Sequence, residues 1–247
     1  MKFYVGLYMP GQAKHFERCC ISVNRLRERK QRVPSDEWMM DSGAFTELSQ
    51  HGYYRHTAEE YAADVNRIAA GTVTGRSNCG LVAAVSQDWM CEPFIIEKTG
   101  FTVQLHQEMT IERYDAIRNR CKVYVMPVLQ GYEPADYVWH IELYGERLIP
   151  NMWVGVGSVC KRNTSVAEVE DILAAIKARR PDLCLHGFGL KTTALGSSLV
   201  RDRLYSADSM AWSFSAWKEG RDANDWNEAK AFIKRIETMP VQIGMQF

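Results

Sequence analysis

The chain has 247 residues, with 30 Lys plus Arg against 30 Asp plus Glu, so at a formal net charge of +0 no whole-molecule field draws in nucleic acid or an anionic membrane. An apolar fraction of 46% supplies a sizeable core, and a charged fraction of 24% suits a soluble globular protein. The longest stretch without a charge, between Arg147 and Lys161, falls short of the ~20 residues of a membrane span; the N-terminus lacks the apolar run and small-residue site of a signal peptide.

Along the chain, near-continuous apolar runs alternate with amphipathic stretches. The runs are FYVGLYM from Phe3, WMMDSGAF from Trp38, GLVAAVSQD from Gly80, VYVMPVLQG from Val123, MWVGVGS from Met152, LCLHGFGL from Leu183 and LYSADSM from Leu204. Each reads as a strand covered on both faces. Helices are predicted over 57–70, 110–121, 134–147, 165–179 and 222–237. The 165–179 helix is clearest: Val166, Val169, Ile172, Leu173 and Ile176 share a face, Ser165 and Glu168 form a capping box, and Pro181 follows the end. Between the first two runs, ERCCISVNRLRERKQR carries Arg18, Arg25, Arg27, Arg29, Lys30 and Arg32 against Glu17 and Glu28. It reads as a phosphate-tracking surface beside the site or as a solvated helix face. The terminal VQIGMQF is a candidate further strand.

This alternation, unbroken by a linker, predicts one α/β domain over 1–247. Seven strands fit either a TIM-like (β/α)8 barrel with a cryptic or lost strand or an open doubly wound sheet. No G-x-G-x-x-G opens a helix after the first strand, so the barrel is favoured. The seven cysteines include no C-x-x-C pair, which argues against a zinc knuckle or a disulfide framework and for a reducing, cytoplasmic setting.

In such a barrel chemistry sits at the C-terminal ends of the strands. Those positions hold Asp41, Asp88, Gln130, Gly157 with Ser158, His186 and Asp208. Any one carboxylate there could simply cap the next helix; the recurrence at successive strand ends points to a site. Two carboxylates can flank a glycosidic bond. An Asp with a Gln matches the edge of a guanine-like base: the carboxylate accepts from the ring N–H and exocyclic amine, and the amide donates to the carbonyl oxygen. Gly157 permits close backbone approach, and Phe45, after the DSGA turn, is placed to stack on a flat ring.

DSGAF at Asp41 resembles the DSGGFQ motif of tRNA-guanine transglycosylases. LQGY at Leu129 resembles their VQGG, VGVGS at Val154 their AVGGL, HGFG at His186 their MGVG-like segment, and SADSM around Asp208 the FDCV-like turn with the nucleophile. These matches follow the family's order over roughly residues 38–215. The resemblance implies Asp208 as nucleophile on C1′, Asp41 as general acid/base, Asp88 and Gln130 reading the guanine edge, and backbone contacts from Gly157 and Ser158. It also implies Phe45 as one stacking wall and puts His186 where the family's other wall, a Met, stands; an imidazole there can stack or donate a hydrogen bond. Ala44, Thr46 and Tyr132 depart from the family pattern with larger or different side chains. The C-x-C-x-x-C zinc module that follows the nucleophile in the tRNA-acting members has no counterpart, since Cys184 is the last cysteine. A compact barrel of this kind looks like the phage and bacterial DpdA-type enzymes, which insert 7-deazaguanine into DNA. The implied partners are DNA offering a flipped or single-stranded guanine and a 7-deazaguanine base, with partner proteins or a homodimer as further options; no metal or cofactor is implied. Lys161, Arg162 and Lys191, just after strand ends, and Arg29 and Lys30 of the basic stretch are candidate phosphate contacts. Trp212 and Trp217 are candidates to stack on neighbouring bases, or else core residues. The rival readings are a tRNA-directed transglycosylase without the zinc module, a nucleosidase or glycosidase resolved by water, and a non-catalytic nucleic-acid-binding barrel.

Overall fold

The computed structural model describes residues 1–71, 80–160 and 165–239. Its strands are β1 (Lys2–Gly6), β2 (Arg18–Ser22), β3 (Glu37–Asp41), β4 (Leu81–Val85), β5 (Val125–Met126), β6 (Val128–Leu129), β7 (Trp153–Val156), β8 (Cys184–Gly187) and β9 (Leu204–Ser209). All pair in parallel, in the order β5-β4-β3-β2-β1-β9-β8-β7-β6. The two ends of that order are halves of one run, separated by Pro127, which has no N–H to give to a ladder. Hydrogen bonds flank the break on both sides: Ser86 N–H donates to Met126 O at 3.0 Å, and Gly155 N–H to Pro127 O at 2.8 Å. The sheet thus returns on itself, and with β5 and β6 taken as one broken strand it has the positions of a (β/α)8 barrel.

Ten α-helices among the described residues surround the sheet: α1 (Ala44–His51), α2 (Ala58–Ala70), α3 (Pro93–Thr99), α4 (Val103–Arg118), α5 (Pro134–Tyr144), α6 (Val166–Arg179), α7 (Thr192–Leu195), α8 (Ser198–Arg203), α9 (Ala211–Lys218) and α10 (Trp226–Thr238). Local caps fix several starts. Thr57 and Glu60 form a capping box on α2, and Ser165 Oγ accepts from Glu168 N–H at 3.3 Å on α6. Helix α4 begins seven residues before the expected Thr110 because Thr102 caps it, its hydroxyl accepting from Leu105 N–H at 3.1 Å.

The strand missing from the sequence reading is β2, inside the basic stretch. Cys19 and Ile21 face the helices, while Cys20 faces the barrel interior. Successive residues alternate in this way around the ring: Tyr4, Cys20, Met39, Ala83, Val85, Met126 and Val128 fill the lumen, and their neighbours Val5, Met40, Ala84 and Leu129 join the outer core. The expectation that Arg29 and Lys30 lie beside the mouth is corrected. They sit against Arg67 and Gly71 at the C-terminal end of α2, which runs back to the N-terminal ends of the strands. Charge there serves the fold, since Arg67 donates to the Leu26 and Arg27 carbonyls, Arg27 pairs with Asp64, and Arg18 pairs with Glu37. Lys161, Arg162 and the VQIGMQF strand lie outside the described residues.

Candidate active site

The lumen-facing alternation carries Asp41 (β3), Gln130 (after β6), Gly157 (after β7), His186 (β8) and Asp208 (β9) to the C-terminal mouth of the barrel. Asp208 lies three positions round the ring from Asp41, with β1 and β2 between them. Both charges act on the Cys20 thiol of β2, which burial already pushes well above its ordinary range. The Asp208 charge also acts on Asp41, so the two carboxylates are near enough at this mouth to influence each other.

At Asp208, Oδ1 accepts from the Gly189 N–H at 3.0 Å and lies 3.2 Å from His186 Nε2. No hydrogen bond from the described residues reaches Oδ2, which leaves its lone pairs available. His186 is fully buried among Tyr4, Trp153 and Phe188, and its Nδ1 lies 2.8 Å from Ser206 Oγ. Trp153 Nε1–H donates to that same hydroxyl at 2.7 Å. A carboxylate accepts only, so Nε2 carries the proton toward Asp208, and Nδ1 is free to take the Ser206 proton. Of the two roles open to His186, stacking or donating a hydrogen bond, the geometry favours the second: a ring with no exposed face lies against the Asp208 carboxylate.

Asp41 Oδ2 accepts from Gly43 N–H at 2.9 Å. The turn that makes this possible needs glycine: Gly43 has φ 77°, and a methyl there would stand 2.6 Å from Asn24 Nδ2. Burial pushes the Asp41 carboxyl up to about 6; the Gly43 hydrogen bond opposes the shift and the Asp208 charge adds to it. A carboxyl in that range can give and take a proton near neutrality.

Asp88 and Gln130 form the buried side of the site. Gln130 Nε2 donates to Asp88 Oδ2, Ser42 Oγ to Asp88 Oδ1 at 3.4 Å, and Tyr54 OH to the Asp88 carbonyl at 2.7 Å. Burial pushes Asp88 up to about 7, opposed by the Gln130 bond and reinforced by the Asp41 and Glu92 charges. The Gln130 amide is fixed at its other end, where Ser158 Oγ donates to Oε1 at 2.7 Å. Ser158 stands at φ 54°, unusual for a residue with a side chain, with its hydroxyl also accepting from Cys91 N–H at 2.9 Å and 2.8 Å from Glu92 Oε2. Gly157 turns out to make room for a side chain, since a methyl there would sit 2.1 Å from Gln130 Nε2. Its N–H and C=O are spent within the fold, on Leu129 O and Tyr137 OH.

Phe45 is 45% exposed on the first turn of α1, edge-on to Phe94. Lys191, the N-cap of α7, is exposed at the mouth. Trp212 is core, donating to Gly6 O at 2.8 Å, whereas Trp217 is 66% exposed. Sequence reasoning missed Glu92, Tyr54 and Ser206. Glu92 precedes Pro93 and reads as a helix start; its contact with Ser158 and its charge near Asp88 mark it as part of the site. Among the described residues no group of three or more His, Cys, Asp or Glu side chains is arranged to hold a metal ion, and no helix is long and apolar enough to cross a membrane.

The arrangement offers a carboxylate with a bare oxygen, a carboxyl titrating near neutrality, and an Asp–amide pair with planar donor and acceptor edges. Comparison with curated proteins gives no match. The profile of the family described as DpdA, DeoxyPurine in DNA protein A, matches residues 2–225, a span that holds every strand of the barrel and every residue of the site, and the chain belongs to that family.

Proposed function

We propose that the protein is a DNA-guanine transglycosylase that exchanges guanine in DNA for a 7-deazaguanine base, the 7-cyano form being the incoming base that the resemblance suggests. Family membership supports a base-exchanging role on DNA purines. The observation that carries the mechanism is the convergence of Asp208, Asp41 and the Asp88–Gln130 pair at one mouth.

A guanosine enters the mouth unstacked, since C1′ in a duplex stack is out of reach of a carboxylate inside a barrel. Ionised Asp88 accepts from the base N1–H and exocyclic amine, and Gln130 Nε2 turns from Asp88 to the base carbonyl oxygen. Asp208 Oδ2 attacks C1′ as the bond to N9 breaks, with Asp41 giving its proton to the departing base. The 7-deazaguanine then occupies the same subsite. Asp41 takes the proton from its N9, which attacks C1′ and returns Asp208 as a carboxylate. Two displacements retain the sugar configuration. His186 and Gly189 hold Oδ1, so that only Oδ2 presents itself to the sugar.

The test is trapping. Wild-type protein mixed with guanine-containing DNA is expected to give a denaturation-resistant adduct, and to incorporate labelled guanine into DNA but not into tRNA. Asp208→Asn should give neither. An adduct that survives in that variant, or exchange into tRNA alone, would overturn the reading.

A further inference from the structure

The mouth has two unlike halves. Going round the ring through β9, β1, β2, β3 and β4, every strand is followed by an exposed ring or a ring-stacked cation. After β9 come Phe214 and Trp217, 62% and 66% exposed, their centroids 5.7 Å apart. After β1 comes Tyr8, 47% exposed; the Arg25 guanidinium that follows β2 lies 3.2 Å from the Tyr8 ring centroid and donates from Nε to the Tyr8 carbonyl. After β3 and β4 come Phe45 and Phe94, 45% and 42% exposed and edge-on to each other. Neighbouring loops are tied together, with Trp212 bonded to Gly6 O and Gln12 to Asn224 O, so the rings ride on a fixed rim. Among the described residues no carboxylate lies within ion-pair distance of Arg25, which leaves a planar cation on the arc.

Water-exposed rings at consecutive strand ends are costly unless something covers them. Flat faces with a cation, beside a mouth that on the proposed reading takes an unstacked nucleotide, match the chemistry of a single strand: bases stack on rings in any sequence, and the guanidinium meets a phosphate. A duplex offers its bases only at the grooves and cannot lay them on such an arc. We propose that this arc is a stacking track for unpaired nucleotides flanking the target guanine, so that the substrate is single-stranded or locally opened DNA. The inference rests on the reading that a DNA strand enters at this mouth.

The experiment measures binding of wild-type protein to three probes: a short oligothymidine, a strand of the same length with abasic sugars, and the same oligothymidine fully paired in a duplex. None of the probed strand's bases can be exchanged, so binding is read apart from catalysis. Oligothymidine is expected to bind roughly tenfold or more tighter than the abasic strand, which keeps the phosphates and loses the bases, and tighter than the duplex. Trp217→Ala and Tyr8→Ala should each remove most of that preference. Trp139→Ala, 51% exposed on α5, should leave it unchanged. Equal affinity for oligothymidine and abasic strand, or a preference untouched in both mouth variants, would overturn the track. Base-dependent binding without any guanine exchange on single-stranded or duplex DNA would sink the transglycosylase reading while leaving the track standing.

Discussion

Asp88 carries a cost that shows where the fold yields to chemistry. Its carboxyl sits at about 7 in the folded chain against an ordinary 3.8, with burial as the main cause. A carboxyl raised on folding holds its proton more tightly in the native state, so its stabilising contribution is complete below about pH 4 and is lost as pH rises through about 7. Asp88→Asn, neutral throughout, is expected to be more stable than the parent at pH 8, on the order of 2–4 kcal/mol, and nearly equal at pH 4. Urea unfolding at the two values checks this, and the same variant should lose guanine recognition. Gly157 allows a second test. A methyl there meets the Gln130 side chain rather than backbone, so Gly157→Ala should displace that amide at a cost of about 1–3 kcal/mol in stability. The displaced amide should lower kcat/KM for base exchange by roughly a hundredfold, the scale of one misdirected contact. Unchanged exchange kinetics in a folded Gly157→Ala protein would remove Gln130 from the recognition scheme.

Between helices and strands, tyrosines act as ties. Tyr61 of α2 donates to Val85 O at 2.6 Å, Tyr137 of α5 to Gly157 O at 2.8 Å, and Tyr144 of α5 to Val128 O at 3.1 Å. Each ring is fully buried, and the bonds end at the last residue of β4, just past β7 and in the second half of the broken β5–β6 strand, so the outer helices hold the strand ends that carry the site. Tyr61→Phe is expected to lose about 1–3 kcal/mol by leaving a buried carbonyl without this donor, measurable as a lower denaturation midpoint at unchanged slope. The seven apolar runs were legible as strands because burial on both faces removes polar residues from them. The eighth position was hidden: β2 opens on Arg18 and sits in a run whose charges dominate its pattern. Its side chains are small cysteines and one Ile, and what makes it a strand is the ladder to β1 and β3, which no local signal announces. At the site, strand-end Asp41, Asp88, Gln130 and Asp208 were legible from position alone. The fastening of Gln130 by Ser158, and of Asp208 by His186, required spatial neighbours far apart in sequence.

Over the whole molecule the two barrel ends differ in kind. The N-terminal end holds a depression of about 610 Å³ lined by Trp153, Tyr124 and Glu37, but Lys2, Arg18 and Tyr4 already satisfy Glu37, so it reads as structural closure. The mouth has the titrating carboxyls and the exposed rings. With Arg18, Arg27, Arg29 and Lys30 of the basic stretch held at the opposite end, Arg25 and Lys191 are the cations that the described residues bring to the mouth, and log affinity for DNA against log salt is expected to fall with a slope no steeper than about −3. Anisotropy titrations at several salt concentrations check this; a steep slope would bring in cations beyond Arg25 and Lys191. The pairing of β1 with β9, residues 2–5 against 206–209, also bears on how the protein comes to be reactive. That seam joins segments from nearly opposite ends of the sequence, the slowest kind of contact to make. Until it zips, Asp208 on β9 and Asp41 on β3 belong to separate halves of an unfinished ring, so the pair on which the proposed exchange depends comes into being only as the barrel closes.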